Sequence, residues 1–264
     1  MSFVTIFTPT YNRAYILPEL YRSLKRQTDK DFEWLVVDDG SSDDTEKLFD
    51  QWRNEDNGFE IRYVKQENAG KMQAVNKGAQ NANGKMFFIV DSDDYLPDNA
   101  IERIKYWEST IEDKASFAGV AGCKYQKTGE ELGSTFDGVY VDATSLERRK
   151  LKILGDKSEV FYTNVIKQYP FPKFAGEKFV PEAVIFNRIA NDGLKFRWIN
   201  ENFYFCEYLE DGYTKNVNQN LIKNWQGYTL YIKELMSSQA AVGEKMIPLM
   251  GYIYRSVLKG LNKK

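Results

Sequence analysis

Residues 86–94 read MFFIVDSDD, so five apolar residues are followed by three carboxylates within four positions. A short run rich in Phe, Ile and Val predicts a strand that is buried on both faces of a sheet. Asp91 and Asp93 would then lie just beyond its carboxyl end, where open α/β sheets bind ligands. Such close carboxylates repel each other, and a magnesium or manganese ion shared with substrate phosphates would offset the repulsion. The alternative is a solvated acidic turn that caps the next helix.

Strand and helix patterns alternate four times around this stretch. Short apolar runs predict strands at residues 3–8, 32–37, 61–64 and 86–90, and helical spacing follows each of them at residues 14–27, 43–52, 72–80 and 97–111. This alternation predicts an α/β fold with a mostly parallel central sheet and helices on its faces. A fifth strand is expected at residues 117–125.

Polar residues follow the predicted strands. They are Tyr11 and Arg13 after the first strand, Asp38 and Asp39 after the second, Lys71 after the third, and Asp91 and Asp93 after the fourth. In a parallel sheet these strand ends share one edge, so the side chains would meet in one cleft. A mononucleotide needs carboxylates for its base or ribose and cations for its phosphates, and this set supplies both. The alternative is that strand-end loops are polar in any protein.

The second half of the chain offers a further carboxylate. Residues 171–182 contain two prolines and a glycine and lead into a helix predicted at residues 181–191, which places Glu182 near the helix N-terminus. The plainer explanation for Glu182 is a charge that favours the helix dipole. A basic helix is predicted at residues 145–154, as a solvated face or as a contact for an anionic acceptor. A hairpin at 139–141 and strands at 195–199 and 203–208 complete this half.

Composition limits the chemistry. The chain has 264 residues, a net charge of −2 and no histidine, so a general base must be Asp, Glu or a perturbed Lys, Tyr or Cys. The modest charge gives no sign of nucleic acid as a partner. The two cysteines have no ligand-like neighbours, which excludes a disulfide framework or zinc site. No signal peptide and no apolar run of about 20 residues is visible, so we expect a cytoplasmic protein.

The chain is expected to divide into three parts: two halves of one domain, at residues 1–115 and 116–218, and a helical extension at 219–264. Helical spacing at 221–236 and 246–261 supports the extension, and the second helix carries a broad apolar stripe. We expect that stripe to pack on the domain. The alternative is contact with a partner helix or with the inner face of the cell membrane.

Four ordered motifs resemble the successive signatures of family 2 glycosyltransferases, which have the GT-A fold. They are VTIFTPTYNR at 4–13, VVDDGSSDDT at 36–45, NAGK at 68–71 and DSDD at 91–94. The resemblance covers about residues 3–115 and fades beyond them. It makes residues 1–115 the expected nucleotide-sugar-binding half of the domain and residues 116–218 the expected acceptor-binding and catalytic half. It implies a metal-dependent, inverting enzyme that uses Mn²⁺ or Mg²⁺. The enzyme would move a sugar from a nucleotide diphosphate, UDP in particular, to a glycan or lipid-linked acceptor in cell-surface polysaccharide synthesis.

The resemblance also implies roles for individual residues. Asp39 would accept a hydrogen bond from the base, and Lys71 would lie near the diphosphate, where the family often has Arg. Asp93 would bind the metal directly, and Asp91 would hold ribose or a metal-bound water. The remaining nucleotide contacts would come from Thr8, Pro9, Tyr11 and Arg13, with Tyr11 beside the base, and from Ser92.

The family places its catalytic acid residue at the start of a helix, often in a Glu-Asp pair. Here the chain has Glu182 followed by Ala183, so Glu182 is the expected general base, with Glu177 and Asp211 as competitors. Residues 211–216 would form a lid over the donor, or alternatively an ordinary surface loop. Two other functions stay open. A sugar nucleotidyltransferase would need a Gly-rich basic loop after the first strand, and a non-catalytic nucleotide-sugar-binding protein would lack a working base.

Overall fold

The computed structural model describes residues 2–206 and 217–261. The described residues form one eight-stranded sheet, made of β1 (Val4–Thr10), β2 (Phe32–Asp38), β3 (Glu60–Lys65), β4 (Met86–Ile89), β5 (Phe117–Gln126), β6 (Tyr140–Ala143), β7 (Lys157–Tyr162) and β8 (Lys195–Cys206). They also form helices α1 (Leu17–Lys25), α2 (Thr45–Trp52), α3 (Lys71–Asn81), α4 (Ala100–Ser109), α5 (Thr163–Ile166), α6 (Ala183–Asn191), α7 (Val217–Lys223), α8 (Trp225–Ser237) and α9 (Val242–Leu261).

The predicted alternation in the first half is confirmed. Strands β3, β2, β1 and β4 lie side by side in that order and run parallel. Every residue of β1 and β2 is buried, as expected for strands covered by helices on both faces. The ring of Trp34 in β2 packs against Tyr21 of α1 and Trp52 of α2, with ring centroids 6.1 and 5.8 Å away. These contacts seal α1 and α2 onto the sheet.

Strand β7 was not predicted; it lies between β4 and β5 and runs antiparallel to both. Its sequence KSEVFY places Lys157 and Glu159 in the strand, so the apolar run that marks a buried strand is interrupted. Because β7 joins β4 to the second half, the sheet continues unbroken across residue 115. The division into halves at that residue stays a prediction.

Three further predictions in the second half need correction. Residues 195–206 form one strand, β8, with register shifts against β5, and the expected break after residue 199 is absent from it. The predicted end of that strand, residues 207 and 208, lies outside the described residues. The expected hairpin strand near residues 139–141 is the edge strand β6, which pairs antiparallel with β8.

The predicted basic helix at residues 145–154 is wrong. Only a single 3-10 turn forms at Ser145–Glu147, and the following residues make turns that end at Lys152 with a positive φ of 63°. The guanidinium of Arg148 turns inward and lies 5.0 Å from the centroid of the Trp198 ring. This inward side chain and the positive φ are incompatible with a solvated regular helix over the whole segment.

Three helices follow the sheet, and the last of them packs only in part. The apolar stripe of α9 remains largely exposed, at fractions between 47% and 76% for Val242, Met246, Ile247, Met250, Ile253, Tyr254 and Val257. The expectation that this stripe packs on the domain is therefore wrong for most of its length. Among the described residues, no helix combines the length and apolar character that crossing a membrane requires.

Candidate active site

The carboxyl ends of the parallel strands open into a cavity of about 830 Å³, a size typical of small-molecule sites. The strand-end loops form one wall, and β7 and α6 form the opposite one. Nine of the ten residues predicted for the site line this cavity: Pro9, Tyr11, Arg13, Asp39, Lys71, Asp91, Ser92, Asp93 and Glu182. Residues from both halves of the chain thus share one space. Their individual roles stay predictions.

Thr8 is the predicted site residue that does not line the cavity. It is fully buried in β1, and its Oγ1 accepts a hydrogen bond from Trp34 Nε1 at 3.0 Å. It lies two residues before the end of β1, deeper in the sheet than Pro9 and Thr10, and supports the core. Thr10 does line the cavity, and its hydroxyl is buried without a hydrogen-bond partner.

The loop after β1 is held in place by the loop after β2. Asn12 adopts a positive φ of 52°, a conformation that Asn tolerates better than most residues. Its backbone N–H donates to Ser41 Oγ at 2.8 Å, and its side-chain oxygen accepts from the Ser42 N–H at 2.8 Å. This clamp presents the neighbouring Tyr11 ring to solvent with 49% of its surface exposed. A flat ligand such as a base could stack on it.

The carboxylate of Asp39 is buried and anchors the loop that leads to α3. It accepts hydrogen bonds from Gln66 Nε2 at 2.7 Å and from the backbone N–H groups of Ala69 and Gly70 at 2.8 Å each. Gly70 has a positive φ of 92°, and a Cβ there would lie 2.1 Å from the carbonyl oxygen of Lys178. Asp39 and Gly70 therefore fix the backbone immediately before Lys71.

Lys71 connects the two walls of the cavity. Its Nζ lies 2.8 Å and 2.9 Å from the two carboxylate oxygens of Asp91 and 3.2 Å from Glu182 Oε1. Burial alone would lower the pKa of Lys71, but Asp91 and Glu182 outweigh it and hold that pKa above its ordinary value. Lys71 is therefore a cation held between the end of β4 and the start of α6.

Three carboxylates crowd the end of β4. Burial would raise the pKa of Asp91, but Lys71 and then Lys124 hold it below its ordinary value. Burial and the charge of Asp91 raise the pKa of Asp93. Burial, Asp91 and Asp93 raise the pKa of Asp94 to about 7, although its carboxylate accepts a hydrogen bond from the Tyr204 hydroxyl at 2.6 Å. The cluster holds more negative charge than its neighbours balance.

This charge imbalance bears on the expected metal. Within the described ranges, no group of three or more His, Cys, Asp and Glu side chains converges closely enough to hold an ion by itself. Asp91 is paired with Lys71, so Asp93 is the main carboxylate that remains to bind a metal ion. Hard carboxylate oxygens fit Mg²⁺ or Mn²⁺, and such ions commonly take one or two carboxylates and complete their shell with substrate phosphates. The donor set fits a divalent ion that arrives with a diphosphate.

Glu182 and Glu177, the two candidate bases in the described part of the second half, differ in what they do. Glu182 occupies the cap position of α6, yet its side chain makes no capping hydrogen bond and is 53% exposed toward the cavity side of Lys71. Both oxygens of Glu177 accept hydrogen bonds from backbone N–H groups at the start of α8, those of Gln226 at 2.8 Å and Gly227 at 2.9 Å. Glu177 therefore caps a helix, and Glu182 is left facing the cavity. Asp211 and the expected lid at 211–216 lie outside the described residues.

Several residues that line the cavity were not predicted as site residues from the sequence. They are Lys124 of β5, Ser145 and Arg148 of the turn after β6, Ser158 and Glu159 of β7, and Asn187 of α6. A signal existed for Lys124, because it interrupts an otherwise apolar strand. Burial raises the pKa of Glu159 to about 7, more than the nearby Arg148 and Lys124 lower it.

This pKa gives Glu159 a measurable effect on stability. A carboxyl group whose pKa is raised in the folded state destabilises that state once it ionises, so the free energy of unfolding should fall as pH rises from about 4.5 to about 7. Glu159→Gln removes this penalty. We expect its melting temperature relative to wild type to be a few degrees higher at about pH 8.5 than at about pH 5. Calorimetry without metal or nucleotide measures this, and an equal difference at both pH values would contradict it.

The fold and this strand-end site define the GT-A class of glycosyltransferases. A sequence model of the family described as "Glycosyl transferase family 2" matches residues 5–165. The chain belongs to this family. Both the predicted fold and the predicted family are confirmed.

Two relatives show how far the similarity extends. The chain is 27% identical over 238 residues to the GalNAc(5)-diNAcBac-PP-undecaprenol beta-1,3-glucosyltransferase of Campylobacter jejuni, covering 86% of this chain and 72% of that protein. It is 33% identical over 138 residues to an uncharacterized glycosyltransferase of Rickettsia felis, covering 52% of this chain and 22% of that protein. The chain thus spans less than a quarter of the latter's length.

Solved structures show the same fold over nearly the whole chain. S. aureus TarS 1-349 in complex with UDP-GlcNAc superposes with a TM-score of 0.69 at 21% identity, covering 97% of this chain and 72% of that one. A mannosyltransferase from Pyrobaculum calidifontis in complex with GDP-Man and Mn²⁺ superposes with a TM-score of 0.62 at 18% identity, covering 97% and 69%.

Proposed function

We propose that this protein is a metal-dependent, inverting glycosyltransferase that moves a sugar from UDP to a hydroxyl of a glycan or lipid-linked acceptor. The observation that carries the proposal is the position of Lys71 between Asp91 and Glu182. The ammonium group of Lys71 thereby contacts two carboxylates. One is that of Asp91, of the kind that binds metal ions, and the other is that of Glu182. A sugar leaving a diphosphate needs these three groups.

The leaving group is the first task of the site. Lys71 would neutralise charge that develops on the departing diphosphate, in a cavity wall that keeps its ammonium charged. Asp93 and Asp91, which both follow β4, would hold a bound Mn²⁺ or Mg²⁺. When bound, such an ion supplies positive charge to the diphosphate oxygens. Tyr11 would stack on the base.

The nucleophile is the second task. Glu182 would accept the proton from the acceptor hydroxyl as that hydroxyl attacks the anomeric carbon from the face opposite the diphosphate. A single displacement of this kind inverts the configuration at that carbon, through an oxocarbenium-like state comparable to that of glycosidases. The position of Glu182 at the start of α6, on the cavity side of Lys71, supports this role.

The test uses the products. Purified protein is incubated with Mn²⁺ and a set of UDP-sugars, first with water alone and then with pyrophosphate. We expect release of UDP and free sugar in water. A sugar nucleotidyltransferase would instead form UTP and a sugar 1-phosphate from pyrophosphate, and a non-catalytic binding protein would bind the donor and form neither product.

Recognition of the base gives a prediction for Asp39. An ionised carboxylate can accept from the imide N–H of uracil, and cytosine offers no such donor. Asp39→Ala should weaken UDP binding by about 1.5–3 kcal/mol, the value typical of a hydrogen bond to a charged group. It should weaken CDP binding less, as calorimetry would show. Because Asp39 also anchors Ala69 and Gly70, equal losses for both nucleotides would mean that it serves only the loop.

The exposed face of α9 suggests where the acceptor is met. The name of the Campylobacter jejuni relative describes a lipid-linked acceptor, and an enzyme acting on such an acceptor must approach a lipid surface. We propose that the α9 stripe, including Met250, Ile253 and Val257, rests on the inner face of the cell membrane, with the rest of the protein in the cytoplasm.

A vesicle flotation experiment tests this contact. The wild-type protein should float with anionic vesicles, and the Ile253→Glu variant should not. Wild type that stays unbound would contradict this.

A further inference from the structure

Buried polar atoms without partners collect in the cavity wall. Among the described residues, six side-chain nitrogen and oxygen atoms are buried and make no hydrogen bond, and five of them belong to residues that line the cavity. Four lie on the wall formed by β7, α6 and the turn after β6: Ser145 Oγ, Arg148 Nε, Ser158 Oγ and Asn187 Nδ2. Buried polar groups nearly always have a partner in a folded protein, so a cluster of this kind indicates a ligand site. We call Ser145, Arg148, Ser158, Glu159 and Asn187 the polar floor.

The sheet order places the polar floor beside the diphosphate end of the cavity. Asp39 follows β2, Asp91 follows β4, and β7 is the next strand beyond β4. The pairing of Phe88 with Val160 sets the start of β7, with Ser158 and Glu159, next to the carboxyl end of β4. Neighbouring strands are about 5 Å apart, so the polar floor lies about one strand spacing beyond Asp91. A ligand extending from base to diphosphate would place its next group there.

Neighbours hold Arg148 in one orientation within the polar floor. Its guanidinium stacks 5.0 Å from the Trp198 ring centroid, its Nη2 donates to the Gly155 carbonyl oxygen at 2.6 Å, and its Nη1 lies 3.8 Å from Glu159 Oε1. These contacts leave Nε as the unused donor. Above about pH 7, where Glu159 is ionised, these contacts set its negative charge close to the positive charge of Arg148, so the pair then presents little net charge to a ligand.

We propose that the polar floor binds the sugar carried on the diphosphate and recognises the hydroxyl groups of a neutral hexose. This inference rests on the proposed function and names its donor class. Arg148 Nε and Asn187 Nδ2 donate to sugar oxygens, and Glu159 and the two serines accept sugar hydroxyl protons. A sugar hydroxyl both donates and accepts, which matches this mixture. A sugar carboxylate would instead bring a second negative charge beside Glu159.

Calorimetry in the presence of Mn²⁺ tests the proposal. UDP, UDP-glucose, UDP-galactose, UDP-N-acetylglucosamine and UDP-glucuronate are titrated into wild type, Ser158→Ala, Asn187→Ala and the control Trp107→Phe. The control removes the sixth unpartnered atom, a buried nitrogen outside the cavity. Both floor variants should bind UDP as wild type does and bind the preferred neutral UDP-hexose about 3- to 10-fold more weakly, the loss typical of one neutral hydrogen bond. The control should bind every ligand as wild type does.

Each other outcome has a distinct meaning. If both floor variants keep the wild-type ratio of UDP-hexose to UDP affinity, the polar floor does not bind the sugar and the inference is overturned. Tightest binding of UDP-glucuronate by wild type would overturn the neutral class. If wild type binds no UDP at all, the proposed function itself fails. Thermal melts of each variant guard against misfolding, and Asn187→Ser replaces Asn187→Ala if the latter does not fold.

Discussion

Glu182→Gln should slow sugar transfer at least about a hundredfold while leaving donor and metal binding near wild type, because removal of a general base typically lowers the rate by about 10²–10⁴. Glutamine keeps the shape of the side chain and cannot accept a proton. The wild-type carboxylate lies 3.2 Å from Lys71 Nζ and makes no capping hydrogen bond, so it is available for this task. The measurement is the initial rate of UDP release with a saturating donor, alongside calorimetry of donor binding.

Glu177→Gln is the matched control for this prediction. The carboxylate of Glu177 lies in the same segment as Glu182, residues 171–182, but accepts hydrogen bonds from the N–H groups of Gln226 and Gly227 at the start of α8. The control should therefore melt at a lower temperature and keep its rate at temperatures where it is folded. If Glu182→Gln turns over like wild type, Glu182 is only a helix-start charge. Asp211 would then be the next residue to test.

Asp93→Ala should abolish the tightening of UDP binding by manganese and leave the fold intact. Burial and Asp91 raise the pKa of Asp93, so a divalent ion would relieve an unfavourable charge in the folded protein. Asp91 is already paired with Lys71, which makes Asp93 the carboxylate with more to offer the metal. The measurement is a calorimetric titration of UDP with and without Mn²⁺.

Asp98→Ala serves as the control for the metal experiment. Asp98 follows the same strand, but its carboxylate is exposed and pairs with Arg26 at 3.1 Å. Exposed pairs contribute little to stability, so this variant should keep the full metal dependence. An Asp93→Ala protein with the same dependence as the control would remove Asp93 from the metal site.

The first half of the fold was predictable because its signals are local. Each of the four parallel strands is an apolar run that ends in polar residues, and the predicted strand ends differ from the observed ones by at most two residues. A parallel sheet brings such ends to one edge, so the meeting of Lys71 with Asp91 followed from the chain order. The contact between Lys71 and Glu182 joins residues 111 positions apart. Glu182 could therefore be assigned to the site only through the resemblance to the family.

The far wall of the cavity was not predictable, for a physical reason. The polar residues of β7 face the cavity, so they break the apolar pattern by which a buried strand is recognised. Arg148 was grouped with exposed neighbours of like charge, and its contacts with Trp198, Gly155 and Glu159 distinguish it. Thr8 shows the opposite error. It belongs to the family motif, yet it lies deeper in β1 than Pro9 and Thr10 and bonds to Trp34 in the core.

The stereochemistry of donor hydrolysis tests the central claim, single displacement with Glu182 as base, most directly. A UDP-α-hexose that the protein binds is incubated with Mn²⁺ in ²H₂O, and proton NMR follows the anomeric signal of the released sugar before the anomers equilibrate. The β-anomer should appear first, and Glu182→Gln should release it at least about a hundred times more slowly. First appearance of the α-anomer would contradict single displacement, because retention requires a second displacement.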